Sequence, residues 1–252
     1  MKGQDTSWGQ AASWYDALLE NTNDSYQQVL ILPNTLRLLN LKKGETVLDL
    51  GCGQGFFSRE FFKAGAKVIG VDCAPEMIKL AKQNSPQEII YHTASGDRMP
   101  FLRPGSLDAV VIILALQNME KANEVLKECG RVLKPNGRMI MVLNHPAFRI
   151  PKKSEWGYDQ GRNIQYRRVD QYLSESKIKI QMHPGDRPQD FTLSFHRPLQ
   201  YYVKALRGAG LVLTGLEEWN SGKYSAPGKR AAAENQARKE IPLFLCLKAE
   251  KL

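Results

Sequence analysis

The sequence predicts an α/β fold, a doubly wound sheet of about seven mostly parallel strands with helices on both faces. Two observations carry the prediction. Strand-like and helix-like segments alternate between residues 46 and 144, and the strand segments are continuous apolar runs such as AVVIILAL, which suit strands buried on both faces. A chain of 252 residues that is 42% hydrophobic can also bury a large core as one domain carrying an insertion.

Each element has its own signal. Residues 11–20 and 26–40 read as helices, because Trp14, Leu18, Val29, Leu32, Leu36 and Leu39 recur at spacings that share faces. TVLDLG at 46–51 is a short buried strand, and residues 56–64 form a helix closed by Gly65, a residue type suited to the turn that ends a helix. KVIGVD at 67–72 is the next strand; Pro75 then opens a helix over 75–84, since proline is at home in a first turn. Strands at 88–93 and 107–114 precede a helix at 120–133, and the turn KPNG leads into a strand at 138–144. From His145 to Arg197 the alternation fails. This stretch is rich in Arg, Lys, Tyr, Gln and Pro and shows no long helical face, although KIKIQMH at 177–183 alternates like a strand. It reads as an inserted cap. Residues 198–209 resume as a helix, 211–219 as a strand and 241–250 as a final strand, while the small, polar residues 221–240 are expected to form a loop with one helical turn.

Composition narrows the class. Residues 1–144 hold 16 Lys or Arg against 15 Asp or Glu, whereas residues 145–252 hold 19 against 11, so nearly all of the +9 net charge lies in the second part. Such a surface suits an acidic small molecule, a nucleic acid or an anionic surface, and a solvated basic face with no partner looks the same. Cys52, Cys73, Cys129 and Cys246 are scattered, with no CxxC pair and no histidine at ligand spacing, so neither disulfides nor a metal site are expected. The longest apolar run, Ala109 to Leu116, is far short of the roughly 18 residues of a membrane span. Residues 1–8 lack a charged-then-apolar signal pattern, and a cytoplasmic location is expected.

The run VLDLGCGQG places Gly51, Gly53 and Gly55 directly behind the first strand. A glycine turn at that point lets a ligand lie against main-chain amides at the open end of the sheet. The spacing is not that of a dinucleotide fingerprint, whose third glycine would fall at Phe56. An acid, Asp49, stands two residues before the first glycine, and a carboxylate there suits a cationic or amine-bearing ligand better than a phosphate. Asp72 ends the following strand, where it could accept hydrogen bonds from ribose hydroxyls.

These residues, together with GDRMPF at 96–101, resemble the class I S-adenosylmethionine-dependent methyltransferases, in particular the small-molecule group labelled type 11. The resemblance covers most of residues 40–144. It implies a Rossmann-like sheet with an antiparallel last strand, an N-terminal helical lid over 1–40 and a substrate cap over 145–197, all within one domain of 1–252. It implies S-adenosylmethionine as cofactor. Gly51, Gly53 and Gly55 would lie along its methionine part, with Asp49 holding the ammonium end, Asp72 the ribose, and Cys73 and Met77 beside the adenine. Asp97 would accept from the adenine amine, Arg98 would add a backbone contact, and Leu114 would face the reacting sulfonium.

Methyl transfer from a sulfonium needs position more than a protein nucleophile. A hydroxyl or protonated amine acceptor still benefits from a general base. The candidate bases are His145, just past the strand at 138–144, and His196, just before the helix at 198–209; His183 and His92 are less well placed. Amino methylation of nucleic-acid bases and ring-carbon methylation of cytosine lose support, since LALQNM follows the fourth strand and no cysteine follows a proline. In the cap, Arg149, Arg167, Arg168 and Arg197 could pair with a carboxylate or phosphate, and Tyr15 and Tyr26 lie where the lid would close. The expected function is transfer of a methyl group to an oxygen or nitrogen of a small, acidic or aromatic metabolite. The alternative is an RNA or protein acceptor docked on the basic second half.

Overall fold

The computed structural model describes residues 24–181 and 191–252. A π-helical turn, Gln27–Ile31, runs into helix α1 (Leu32–Leu39), which stops where Asn40 turns left-handed. The alternating units follow as strand β1 (Thr46–Leu50), helix α2 (Phe56–Lys63), β2 (Lys67–Asp72), α3 (Pro75–Asn84), β3 (Ile90–Thr93) and β4 (Leu107–Ile113). After a short 3-10 turn, Leu116–Asn118, come α4 (Ala122–Val132) and β5 (Leu133–Asn144). The expected helix at 11–20, with Trp14 and Tyr15, and His183 lie outside the described residues.

Two antiparallel hairpins occupy the stretch read as an irregular cap. The first pairs β6 (Ser154–Asp159) with β7 (Ile164–Val169), and the second pairs β8 (Ser176–Gln181) with β9 (Phe191–His196). The first hairpin escaped the sequence reading because its strands have no fully buried residue, so no sharp inside–outside alternation marks them. The chain returns through α5 (Leu199–Gly208), β10 (Leu211–Trp219), α6 (Ala231–Glu240) and β11 (Phe244–Lys251). Helix α6 corrects the expected loop at 221–240. Its sequence, AAAENQARKE, consists of good helix formers with Glu234 in the first turn and Arg238 and Lys239 in the last, which complements the helix dipole. It buries only the small Ala233 and Ala237, so it shows no apolar stripe to be read.

The main sheet has the order β10-β11-β5-β4-β1-β2-β3. The β1–β2, β1–β4, β2–β3 and β4–β5 pairs are parallel, and β11 runs antiparallel to both β5 and β10. Strand parity sorts the core into two layers. Leu48, Leu50, Val110, Ile112, Met139 and Met141 face α4 and α5, meeting Leu126, Cys129, Tyr202 and Leu206. Val47, Ala109, Val111, Ile140 and Val142 face the other way, meeting Ile31, Leu39, Phe57, Phe61 and Ile78. Phe61 is fully buried, a contribution of about 2–3 kcal/mol. The order reverses between β1 and β4, and the crevice outside the carboxyl ends of such strands is where open α/β sheets bind ligands.

Candidate active site

The turn after β1 is built from backbone that a side chain would block. Gly51 has φ +75, and a Cβ there would collide with Ala115 Cβ; Gly55 has φ +88, and a Cβ there would strike the Tyr91 hydroxyl. The amides of Gly51 and Cys52 both donate to the Val71 carbonyl, at 2.7 and 3.1 Å, which ties the turn to the end of β2. Asp72 completes the tie. Its carboxylate accepts from the Gly53 amide (2.9 Å) and the Ala74 amide (2.9 Å), so it fixes both loops while its remaining lone pairs stay available. Burial raises its pKa, opposed by those two amides.

Asp49 is deeper still, 2% exposed, with the Ser58 hydroxyl donating to it at 2.6 Å. Burial pushes its carboxyl up to about 7, and the neighbouring Asp72 charge adds to the effect. No cation partners either acid among the described residues. The side-chain amide of Gln54, in the same turn, has its Nε2 buried without an acceptor. A pair of desolvated carboxylates around a bare turn is a site that favours a bound cation.

The other residues singled out from the sequence lie around this end of the sheet. Met77 is buried against Ala74, and Cys73 beside it is exposed. Asp97 accepts from the Ser95 hydroxyl and pairs with Lys121 at 3.0 Å, which together hold its pKa below the usual range. The exposed Arg98 donates its amide to the Ser95 carbonyl at 3.2 Å. Leu114, one residue past β4, has φ +53, a strained conformation for leucine that its amide bond to the Val142 carbonyl (2.8 Å) helps to hold.

Leu114 forms part of the wall of a pocket of about 240 Å³. The opposite walls come from β9 and the start of α5, with Thr192, Ser194, His196, Arg197 and Tyr202, and from the segment after β5, with Pro146 and Arg149. Gln117 and Asn118, in the turn after β4, line it as well. Burial pushes the Tyr202 phenol up to about 12 against the opposing charge of Arg197.

The two candidate bases differ. His145 Nδ1 accepts from the amides of Ala147 (3.2 Å) and Phe148 (3.4 Å), so its proton is on Nε2, which donates to Glu218 at 2.7 Å. Neither ring nitrogen has a lone pair to spare; the residue braces β5 against β10. His196 Nε2 lies 2.7 Å from the Tyr172 carbonyl, which can only accept, so Nε2 carries the proton and Nδ1 keeps its lone pair. Tyr172 also accepts the Leu199 amide on its hydroxyl at 3.0 Å, joining His196 to the first residue of α5.

Among the substrate candidates, Arg149 and Arg197 line the pocket. Arg167 spends its guanidinium on the Phe148 carbonyl and the Ser154 hydroxyl, both at 2.8 Å, and so steadies the segment that presents Arg149. Tyr26 packs edge-on against Phe244, with ring centroids 5.7 Å apart. Sequence reasoning missed Tyr172, Gln117 and Tyr202. Their roles depend on loops meeting across the sheet, which no local pattern marks.

A family model described as a methyltransferase domain matches residues 48–141, the stretch that holds β1 through β5 and the glycine turn. The fold overlays a crystal structure of an S-adenosylmethionine-dependent methyltransferase from Mesorhizobium loti with a TM-score of 0.70, at 26% identity, over 87% of this chain and 96% of that one. Residues 48–141 match a methyltransferase domain, and the fold is that of an S-adenosylmethionine-dependent methyltransferase. Methyltransferases also stand among its sequence relatives. A ubiquinone biosynthesis O-methyltransferase from Xanthomonas oryzae pv. oryzae is 32% identical over 52% of this chain and 56% of its own length. A demethylmenaquinone methyltransferase from Tropheryma whipplei is 34% identical over 44% of this chain and 46% of its own length. The chain thus spans about half the length of the curated relatives it matches.

The methyltransferase cofactor, S-adenosylmethionine, carries an ammonium and a sulfonium, and the donor set of this turn fits it. Asp49 is a buried carboxylate without a counter-ion among the described residues, and Asp72 stands at the end of the adjacent strand. The missing side chains of Gly51 and Gly55 let the turn pack against Ala115 and Tyr91 and keep its left-handed shape beside the two acids. Among the described residues no helix is long and apolar enough to cross a membrane, and no cluster of acids, histidines and cysteines could hold a metal ion.

Proposed function

We propose that this methyltransferase methylates an oxygen or nitrogen of a small metabolite held in the pocket beside Leu114. The observation that carries the reading is His196: a histidine whose tautomer is fixed by a backbone carbonyl, with a free nitrogen, in the wall of a pocket that adjoins the end of β4. In this reading the cofactor supplies an activated methyl group on sulfur. Asp49 and Asp72 grip it at its ammonium and ribose ends, Gly51, Gly53 and Gly55 form the floor, and Cys73, Met77, Asp97 and Arg98 surround the base. His196 Nδ1 takes the proton that the acceptor gives up as its bond to carbon forms. The O-methyltransferase among the relatives supports an oxygen acceptor, and the pocket volume suits a single aromatic ring better than a macromolecule.

The basic second half favours a second reading, an RNA or protein acceptor. The two differ in where the acceptor's charge is met: at many surface cations, or at one or two inside a pocket.

The test is formation of the demethylated cofactor over a panel of hydroxylated and amino aromatic metabolites. His196→Ala should lower kcat by about 10²–10⁴-fold, the usual worth of a positioned base, with cofactor affinity unchanged by titration calorimetry. Full turnover in that variant would remove His196 from the reaction.

A further inference from the structure

Arg197 is 4% exposed, yet no carboxylate pairs with it among the described residues. Its Nη2 donates to the carbonyls of Met119 (2.9 Å) and Glu120 (2.8 Å), and its guanidinium lies between the rings of Phe195 and Tyr201, 5.2 and 5.1 Å away. Those four contacts lock the plane of the side chain. The other terminal nitrogen, Nη1, is buried with no hydrogen-bond partner, and the Tyr202 phenol lies close enough to feel the guanidinium's charge. A guanidinium cannot shed its charge at any physiological pH, so it cannot escape burial by neutralising as a lysine or a carboxylate can. A buried cation left with an empty donor is costly unless an anion arrives.

The same pocket holds a second unpaired cation. Arg149 lines it, stacks on Phe244 at 5.6 Å and has no carboxylate partner among the described residues. By contrast Arg168, outside the pocket wall, is ion-paired with Glu155 and Asp170. The rest of the lining offers side-chain amides (Gln27, Gln117, Asn118, Asn144), hydroxyls (Thr192, Ser194, Tyr202) and His196, and no carboxylate lines this cavity among the described residues.

We propose that Arg197 and Arg149 form an oxyanion subsite that takes a carboxylate or phosphate of the methyl acceptor, so that the substrate class is an acidic aromatic metabolite. The inference rests on the reading of this pocket as the acceptor site. Arg197 supplies a fixed, desolvated donor, and Arg149 approaches from the segment after β5. Two arginines from separate elements fix the acceptor's direction as well as its charge, in the cavity that His196 also lines.

The experiment measures binding by calorimetry to the full chain saturated with S-adenosylhomocysteine. The probes are 4-hydroxybenzoate, phenyl phosphate and the neutral 4-hydroxybenzamide. The wild type should bind at least one anionic probe at least tenfold more tightly than the amide. Preference for the benzoate identifies a carboxylate acceptor, and preference for the phosphate ester a phosphorylated one. Arg149→Gln, on an exposed side chain that carries little folding risk, should weaken the preferred anion at least fivefold. Arg197→Lys, which keeps the charge and loses the planar fork, should weaken it at least tenfold. The amide should bind all three proteins alike. Equal binding of amide and anions, no saturable binding of either anion, or anion affinity unchanged in both variants would overturn the subsite. Binding of S-adenosylhomocysteine is read in the same titrations. Its absence from the wild type would sink the methyltransferase site itself, whereas its presence without an anion preference would sink only the subsite.

Discussion

Asp49 shows how one buried acid links binding, stability and pH. In the cofactor-free protein burial raises its pKa from 3.8 to about 7, so between those values the folded chain holds a proton that the unfolded chain has released. Folding stability therefore falls as pH rises from about 4 to about 7, and above 7 the full penalty of the buried charge is present, on the order of a few kcal/mol. Asp49→Asn should raise the melting temperature of the cofactor-free protein at pH 8 and change it little at pH 4.5. Cofactor affinity should move the opposite way. An ammonium prefers the ionised acid, so wild-type affinity should weaken as pH drops below about 7, and the Asn variant should be weak and nearly flat across that range. Calorimetry at pH 5.5, 7 and 8 checks it. At His145 the expectation is structural: His145→Asn, too short to donate to Glu218 in place of Nε2, should lower unfolding stability by about 1–2 kcal/mol in urea melts and leave kcat within a few-fold. A collapse of kcat with stability intact would return His145 to the list of bases.

Elements show which parts of a sequence are self-describing. The strands β1, β2, β4 and β5 and helices α2 to α5 were legible because each buries a contiguous run or a stripe, so hydrophobicity repeats with the period of the backbone. Helix α6 and the hairpin β6–β7 were not, since one is held by helix propensity and alanines and the other is half-exposed throughout. Close packing between elements was equally hidden. Gly130 in α4 touches the turn after α5, where a Cβ would strike the Ala209 carbonyl oxygen, and the Gly130 carbonyl also accepts from Lys251 in β11 at 2.6 Å. Gly130→Ala should therefore cost about 1–3 kcal/mol despite improved helix propensity, read as a lower denaturation midpoint at unchanged slope. A stabilised variant would mean that α4 and α5 are not pressed together here.

At the scale of the whole molecule, charge and shape make separate demands. The excess of basic residues lies in residues 145–252, the part that builds the hairpins and the far walls of the pocket. If a small acidic acceptor uses two of those cations, its KM should change less than about threefold between 50 and 300 mM salt. An RNA acceptor neutralising Z phosphates would instead lose affinity with a log–log slope near −0.7Z for single strands. A steep slope with RNA turnover would favour the second reading.

The sequence alone determined the sheet, the glycine turn and the two acids at neighbouring strand ends, because these depend on residues close together in the chain and on patterns that repeat along it. Tertiary structure alone decided which histidine keeps a free nitrogen and which arginines lack a counter-ion among the described residues. Those properties depend on partners far off in the chain, such as Glu218 for His145 and the Met119 and Glu120 carbonyls for Arg197, and no local pattern records who meets across a fold.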